Sequence, residues 1–117
     1  MTFNKDIKDI RIALISPRAV ASKNMIRRVQ PPLGLCCIAA GLREKGFKNL
    51  MIYDTLIEDY NDVRDLKSGD GMITYGASGE KIIEKMTEFK PDIVGVSSLF
   101  SSQVSQAYEV ARAIKKY

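Results

Sequence analysis

Residues 91–103 read Pro-Asp-Ile-Val-Gly-Val-Ser-Ser-Leu-Phe-Ser-Ser-Gln. Ile93, Val94 and Val96 form a short β-branched run with no polar alternation, which suits a strand covered on both faces of a parallel sheet. A serine-rich turn stops the run. Val104, Ala107, Tyr108, Ala111 and Ile114 then recur at three- and four-residue steps, the pattern of an amphipathic helix that Ser101 or Ser102 is placed to N-cap. The turn therefore stands at the carboxyl end of a parallel strand. In open α/β sheets that is where ligands sit.

Two further strands precede it. Arg11-Ile12-Ala13-Leu14-Ile15-Ser16 is a buried strand stopped by Pro17, and Leu50-Met51-Ile52-Tyr53 is a second, ending at Asp54. Between them Pro32 opens a helix with the apolar face Leu35, Ile38, Ala39 and Leu42, closed by Gly46. Ile82, Ile83, Met86 and Phe89 mark another helix before the 93–96 strand. Residues 18–31 carry no strong periodicity and read as a loop. Residues 55–78, polar and holding Gly69, Gly71 and Gly76, read as a long mobile connection with one helical turn near Tyr60 to Leu66. The order is β-α-β-α-β-α. Right-handed crossovers then give the strand order 2-1-3, with the first helix on one face and the other two opposite.

Val94-Gly95-Val96-Ser97-Ser98-Leu99 resembles the Ser-x-Leu turn of cobalamin-binding domains. Pro31-Pro32-Leu33-Gly34-Leu35 entering a helix, Tyr75-Gly76 before a second helix, and Lys90-Pro91-Asp92 before the third strand are similar to the N-terminal cobalamin (vitamin B12)-binding region of radical S-adenosylmethionine enzymes. Magnesium-protoporphyrin ester cyclases and cobalamin-dependent radical methylases belong to that group. The resemblance covers roughly residues 10–116 and implies a flavodoxin-like, Rossmann-like three-layer α/β sandwich. The family continues through a fourth and fifth strand, with a Gly-Gly turn after the fourth. This chain stops at Tyr117 without them, as a fragment of a longer protein would, or as a module whose third-strand edge is covered by a partner such as a second copy.

The resemblance implies cobalamin as the cofactor, with Ser97 bonding its nucleotide tail, Ser98 beside it in the binding turn and Leu99 packing on the tail base. Pro17 and Arg18 lie in the loop after the first strand, where Arg18 is either beneath the corrin or a solvated surface residue. Pro32, Leu33 and Gly34 begin a helix whose free N–H groups suit amide or phosphate oxygens, or else are simply a stiff entry to that helix. On residue chemistry alone Ser97-Ser98 is equally a strand-ending turn with a capping hydroxyl. The chain holds no histidine, and its first loop, Ser16-Pro17-Arg18-Ala19-Val20-Ala21, lacks the Asp-x-His-x-x-Gly of mutase-type cobalamin domains. Cobalamin bound here would therefore have no protein imidazole beneath the cobalt, as is common in the radical branch.

Without histidine the serines lack the usual activating base, so no catalytic residue is assigned. Cys36-Cys37 do not form the Cys-x3-Cys-x2-Cys cluster motif, and adjacent helical positions about 100° apart do not suit a disulfide. One or both read as core packing against the first strand. The iron–sulfur cluster and S-adenosylmethionine would belong to a missing downstream radical domain, and this chain alone is not expected to catalyse. The alternative is a truncated, non-binding α/β module that acts as an interaction or folding element.

Rival folds fail on residues. A dinucleotide-binding unit needs Gly-x-Gly-x-x-Gly after the first strand, and residues 16–22 have no glycine. A phosphoacceptor receiver needs acids where Ser16-Pro17 and Ser97-Ser98 stand. The net charge of +4 is spread over scattered residues, with only pairs at Arg27-Arg28 and Lys115-Lys116 and no interleaved aromatic stripe, so no nucleic-acid partner is expected. No apolar run approaches a bilayer span, no secretory h-region follows the N-terminus, and a cytoplasmic location is the expectation.

Overall fold

The computed structural model describes residues 5–27, 29, 31–66, 71–98 and 104–116. Three strands, β1 (Arg11–Ser16), β3 (Asn49–Asp54) and β6 (Ile93–Val96), form a parallel sheet in the order β3-β1-β6. Between β1 and β3 lies β2 (Ala19–Ser22), followed by helix α1 (Leu33–Glu44). After β3 come the single-turn helix α2 (Thr55–Glu58), strands β4 (Val63–Asp65) and β5 (Met72–Tyr75), and helix α3 (Gly79–Phe89). Helix α4 (Val104–Lys116) follows β6. The α/β class and the 2-1-3 order of the parallel strands are as the sequence predicts.

β1 is central, and its run of apolar residues serves both faces in turn. Ala13 and Ile15 join Tyr53 of β3 against Ile82 and Met86 of α3 and Val110 of α4. Ile12 and Leu14 face the other way, onto Leu35, Ala39 and Leu42 of α1 and Phe47. Thus α1 covers one face and α3 with α4 the other, as right-handed crossovers require. Gly46, at φ 103°, closes α1: its N–H donates to Arg43 O at 3.1 Å, and the Phe47 N–H donates to Leu42 O at 3.1 Å. That pair of bonds, with Phe47 and Leu42 in one cluster, is the Schellman closure of a helix.

The amino end of this sheet is tied by Asp92. Its carboxylate accepts from the Arg11 N–H at 2.9 Å and from Lys5 Nζ at 3.0 Å, while the Asp92 N–H donates to Arg11 O at 2.7 Å. Arg11 in turn donates through Nε to Phe89 O at 2.6 Å and lays its guanidinium over the Phe89 ring.

A second sheet corrects two sequence expectations. The loop at 18–31 contains β2, and the connection at 55–78 contains α2, β4 and β5. Its helical turn falls at Thr55–Glu58, and Val63–Asp65, inside the stretch expected to be helical, is a strand. β2, β5 and β4 form an antiparallel sheet with β5 central, packed on Leu56, Val29 and Tyr60. Arg27 clips it shut by stacking on Tyr60 and donating to Tyr60 O at 2.7 Å. Strands of three or four residues are too short to display an alternation. Because β2 leaves β1 after only Pro17 and Arg18, this sheet extends the molecule beyond the carboxyl end of the first, and its extents are 48 × 28 × 23 Å.

Three helical expectations also shift. Ile38 is exposed rather than facing the sheet, and Cys36 and Cys37 are both exposed rather than in the core. In α4 Ile114 packs on the core as expected, but it does so beside Gln106 and Val110, while Val104 and Tyr108 face solvent. Gln106 is drawn inward because its Oε1 accepts from Arg18 Nε at 2.8 Å, a bond that makes a polar side chain acceptable in the interior.

Candidate functional site at the carboxyl rim of the parallel sheet

Three loops leave the parallel sheet at its carboxyl end: Ser16-Pro17-Arg18 after β1, Asp54-Thr55 after β3 and Ser97-Ser98 after β6. Ser16 stands in register with Asp54. The Ser97 N–H donates to Ile15 O at 2.9 Å, which carries the β1–β6 ladder one residue past β6. Ile15, Tyr53 and Val96 point to the α3/α4 face, so the residues that follow them, Ser16, Asp54 and Ser97, lean to the α1 face. The result is a polar row across all three strands. Helix α1 runs back against the strands, so its beginning at Pro32–Gly34 lies at this same end.

Asp54 is the most informative member. Its Oδ1 accepts from the Leu56 N–H at 3.0 Å and so caps α2. Its Oδ2 is buried and has no hydrogen-bond partner among the described residues. Neighbouring Thr55 is fully buried, and its hydroxyl donates to Ser16 O at 2.7 Å, bolting β3 to β1 at the rim. Sequence reasoning missed Asp54 and Ser16 as site residues. The available signal was their place as the last residues of parallel strands.

The residues singled out from sequence divide. Ser97 is half-buried in the row, and Ser98 is exposed beside it. Leu99, Ser101 and Ser102 lie outside the described residues. Leu33 is 70% exposed and Gly34 is also open, with nothing within 4 Å of where a Cβ would stand; Pro32 is half-buried. Pro17 is fully buried and presents no surface to a ligand. Arg18 is neither free beneath a ligand nor solvated: besides its Gln106 bond, Nη2 pairs with Glu109 Oε2 at 3.0 Å. Gly76, at φ 118°, lies so close to the Arg18 backbone that a Cβ would stand 2.9 Å from Arg18 Cα. Arg18 is thus a strut between the first loop, the second sheet and α4.

The α3 side of the rim is electrostatically closed. Lys81 Nζ pairs with Asp59 Oδ1 at 2.6 Å, the Tyr53 hydroxyl donates to Asp59 Oδ2 at 3.2 Å, and Lys85 reaches Glu58 at 3.5 Å. Burial, then the Asp59 carboxylate, pushes the Tyr53 phenol far above its ordinary range, and the hydrogen bond to Asp59 raises the Lys81 ammonium. Tyr53 remains a neutral donor and Lys81 a cation. Together they hold α2 and the turn after it against α3.

An apolar groove of about 820 Å³ lies at the opposite, amino end, between α3, α4 and the outer edge of β6, where Met86, Pro91, Ile93, Val94 and Ile114 line it. This groove and the polar row therefore lie at opposite ends of the sheet. The rim is the stronger ligand site because directional groups converge there. Among the described residues no three histidine, cysteine or acidic side chains gather as a metal site, and no helix is long and apolar enough to cross a membrane.

Comparison with known proteins identifies the family of the chain. The family model described as the B12 binding domain matches residues 24–117. Cytidylyl-2-hydroxyethylphosphonate methyltransferase of Streptomyces wedmorensis is 33% identical over 102 residues, which are 87% of this chain and 19% of that protein. The chain thus spans about a fifth of the length of this curated relative. No solved structure matches it.

Proposed function

The chain belongs to the B12-binding domain family, and from that premise we propose that it holds cobalamin at the carboxyl rim, in a protein that joins it to a radical S-adenosylmethionine domain. The observation that carries this reading is the polar row Asp54–Ser16–Ser97, with one buried carboxylate oxygen left unmet. These residues fit a corrinoid, whose periphery is rich in primary amides. Ser97 and Ser98 bond the nucleotide tail, and Leu33 and Gly34 offer open surface at the start of α1. When bound, the cofactor supplies methyl-transfer chemistry at cobalt. This chain's residues bind and orient it, and with no histidine in the chain, none of its side chains provides an imidazole to the metal.

Methyl transfer is favoured over ring-forming chemistry because the similar Streptomyces protein is named as a methyltransferase. The iron–sulfur cluster and S-adenosylmethionine of the proposed reaction belong to the partner domain. The shared stretch is the cofactor module, so it carries no assignment of substrate.

Titration of hydroxocobalamin into the full-length protein, followed by absorbance and calorimetry, tests the reading. Saturable binding is expected, weakened by the double variant Ser97→Ala/Leu99→Ala. Binding unchanged by that variant removes the two residues from the site. Absence of binding leaves the second reading, an interaction module, which one observation favours: among the described residues β6 pairs only with β1, and its other edge borders the apolar groove. A second copy seated there would appear as a dimer in light scattering.

A further inference from the structure

The unmet oxygen of Asp54 deepens the cobalamin reading and rests on it. A buried carboxylate oxygen without a donor loses its hydration uncompensated, and native proteins seldom leave one without a reason. Among the described residues no neighbouring donor reaches Oδ2: the Ser16 hydroxyl beside it does not bond it, and the Thr55 hydroxyl and the nearest cations are committed elsewhere. Thr55 gives its hydroxyl to Ser16 O, Arg18 is spent on Gln106 and Glu109, and Lys81 and Lys85 serve Asp59 and Glu58. Oδ1 is occupied by the α2 cap. Asp54 as a whole is only half-buried, and it stands in the rim row with Ser16 and Ser97.

We propose that Asp54 is a cofactor-binding residue whose Oδ2 accepts a hydrogen bond from a neutral N–H or O–H donor of the corrinoid. Carboxylate charge at this point disfavours the cofactor's phosphate and favours its amide or ribose hydroxyl groups. Shielded from bulk water, a hydrogen bond to an ionised acceptor there is stronger than an ordinary one.

Asp54→Asn isolates the effect. The asparagine carbonyl still caps α2, since Asn and Asp are comparable N-caps, while an NH₂ donor replaces the free acceptor. Hydroxocobalamin titrated into full-length protein is expected to bind about tenfold more weakly to the variant than to wild type, about 1.4 kcal/mol. The urea midpoint of the unliganded protein is expected to be unchanged or raised. Asp54→Ser, which also caps but adds no misplaced donor, is expected to lose less. Repeating the titration with cobinamide, which keeps the corrin amides but lacks the nucleotide tail, assigns the donor: a penalty that persists points to a corrin amide, and one that vanishes points to the ribose. Equal affinity of wild type and Asp54→Asn overturns the assignment and leaves the cobalamin reading standing. A fall in the unliganded urea midpoint that accounts for the affinity loss also overturns it, by making Asp54 structural. Wild-type protein that binds no hydroxocobalamin overturns both.

Discussion

Two aspartates mark the two ends of the parallel sheet and are treated in opposite ways. At the amino end Asp92 is saturated: it accepts from the Arg11 N–H and the Lys5 ammonium, and its own N–H returns to Arg11 O. At the carboxyl end Asp54 uses one oxygen for a helix cap and leaves the other unmet. A carboxylate that serves only the fold is surrounded by donors supplied by the fold. One that retains a free buried oxygen holds binding capacity in reserve, at a cost in stability. The amino end is thus closed on itself, while the carboxyl end keeps an open acceptor.

The sharpest way to break the carboxyl end alone is Gly76→Ala. The positive φ and the close approach to Arg18 Cα are expected to cost about 2–4 kcal/mol in urea unfolding, and to weaken hydroxocobalamin binding by releasing the second sheet from the rim. A variant as stable as wild type would mean that Arg18 yields without penalty, and that the strut does not support the site.

A smaller effect distinguishes the aspartates by pH. The Arg11 backbone N–H, and after it Lys5, hold the Asp92 carboxyl below the usual carboxylate range. Because its folded pKa is depressed, Asp92 contributes stability above the unfolded carboxylate pKa of about 3.9, and that contribution is lost as pH falls through the lower folded value. Asp92→Asn is therefore expected to lower stability at neutral pH and to flatten the acid limb of the stability profile. Asp54→Asn is expected to leave neutral stability intact. Denaturant midpoints measured from neutral pH downward decide between them, and identical behaviour of the two variants would abolish the contrast between the ends.

The same contrast explains what the sequence disclosed. β1, β3 and β6 are runs of Ile, Leu, Val and Met whose hydrophobic signal is strong, and Gly46 and Pro32 frame α1 by backbone rules that act locally. The parallel fold and the serines of its rim were legible for that reason. The second sheet was not, because β4 is three exposed residues and its neighbours are four each. The face of α4 was misjudged because Gln106 is buried through a bond to Arg18, 88 residues away in the chain. Asp54 was visible as a strand terminus and nothing more. Its unmet oxygen is a property of what fails to surround it, which no local pattern encodes.

The smallest expected effect concerns α1, whose first turn lies at the carboxyl end of the sheet. Its apolar composition suggested one or both cysteines in the core, yet Leu35, Ala39 and Leu42 supply the contact with the sheet and both thiols face outward. Residues one apart on a helix point about 100° from each other, so Cys36 sits beside the buried stripe marked by Leu35, and Cys37 lies farther round. Replacing both, Cys36→Ser/Cys37→Ser, removes no buried volume and is expected to shift stability by no more than about 0.5 kcal/mol. Ellman's reagent is expected to titrate two thiols in the native protein. If one reacts only after urea unfolding, α1 is rotated toward the sheet from the position described. Leu33 and Gly34 would turn with it, and the exposed surface at the start of α1 would change.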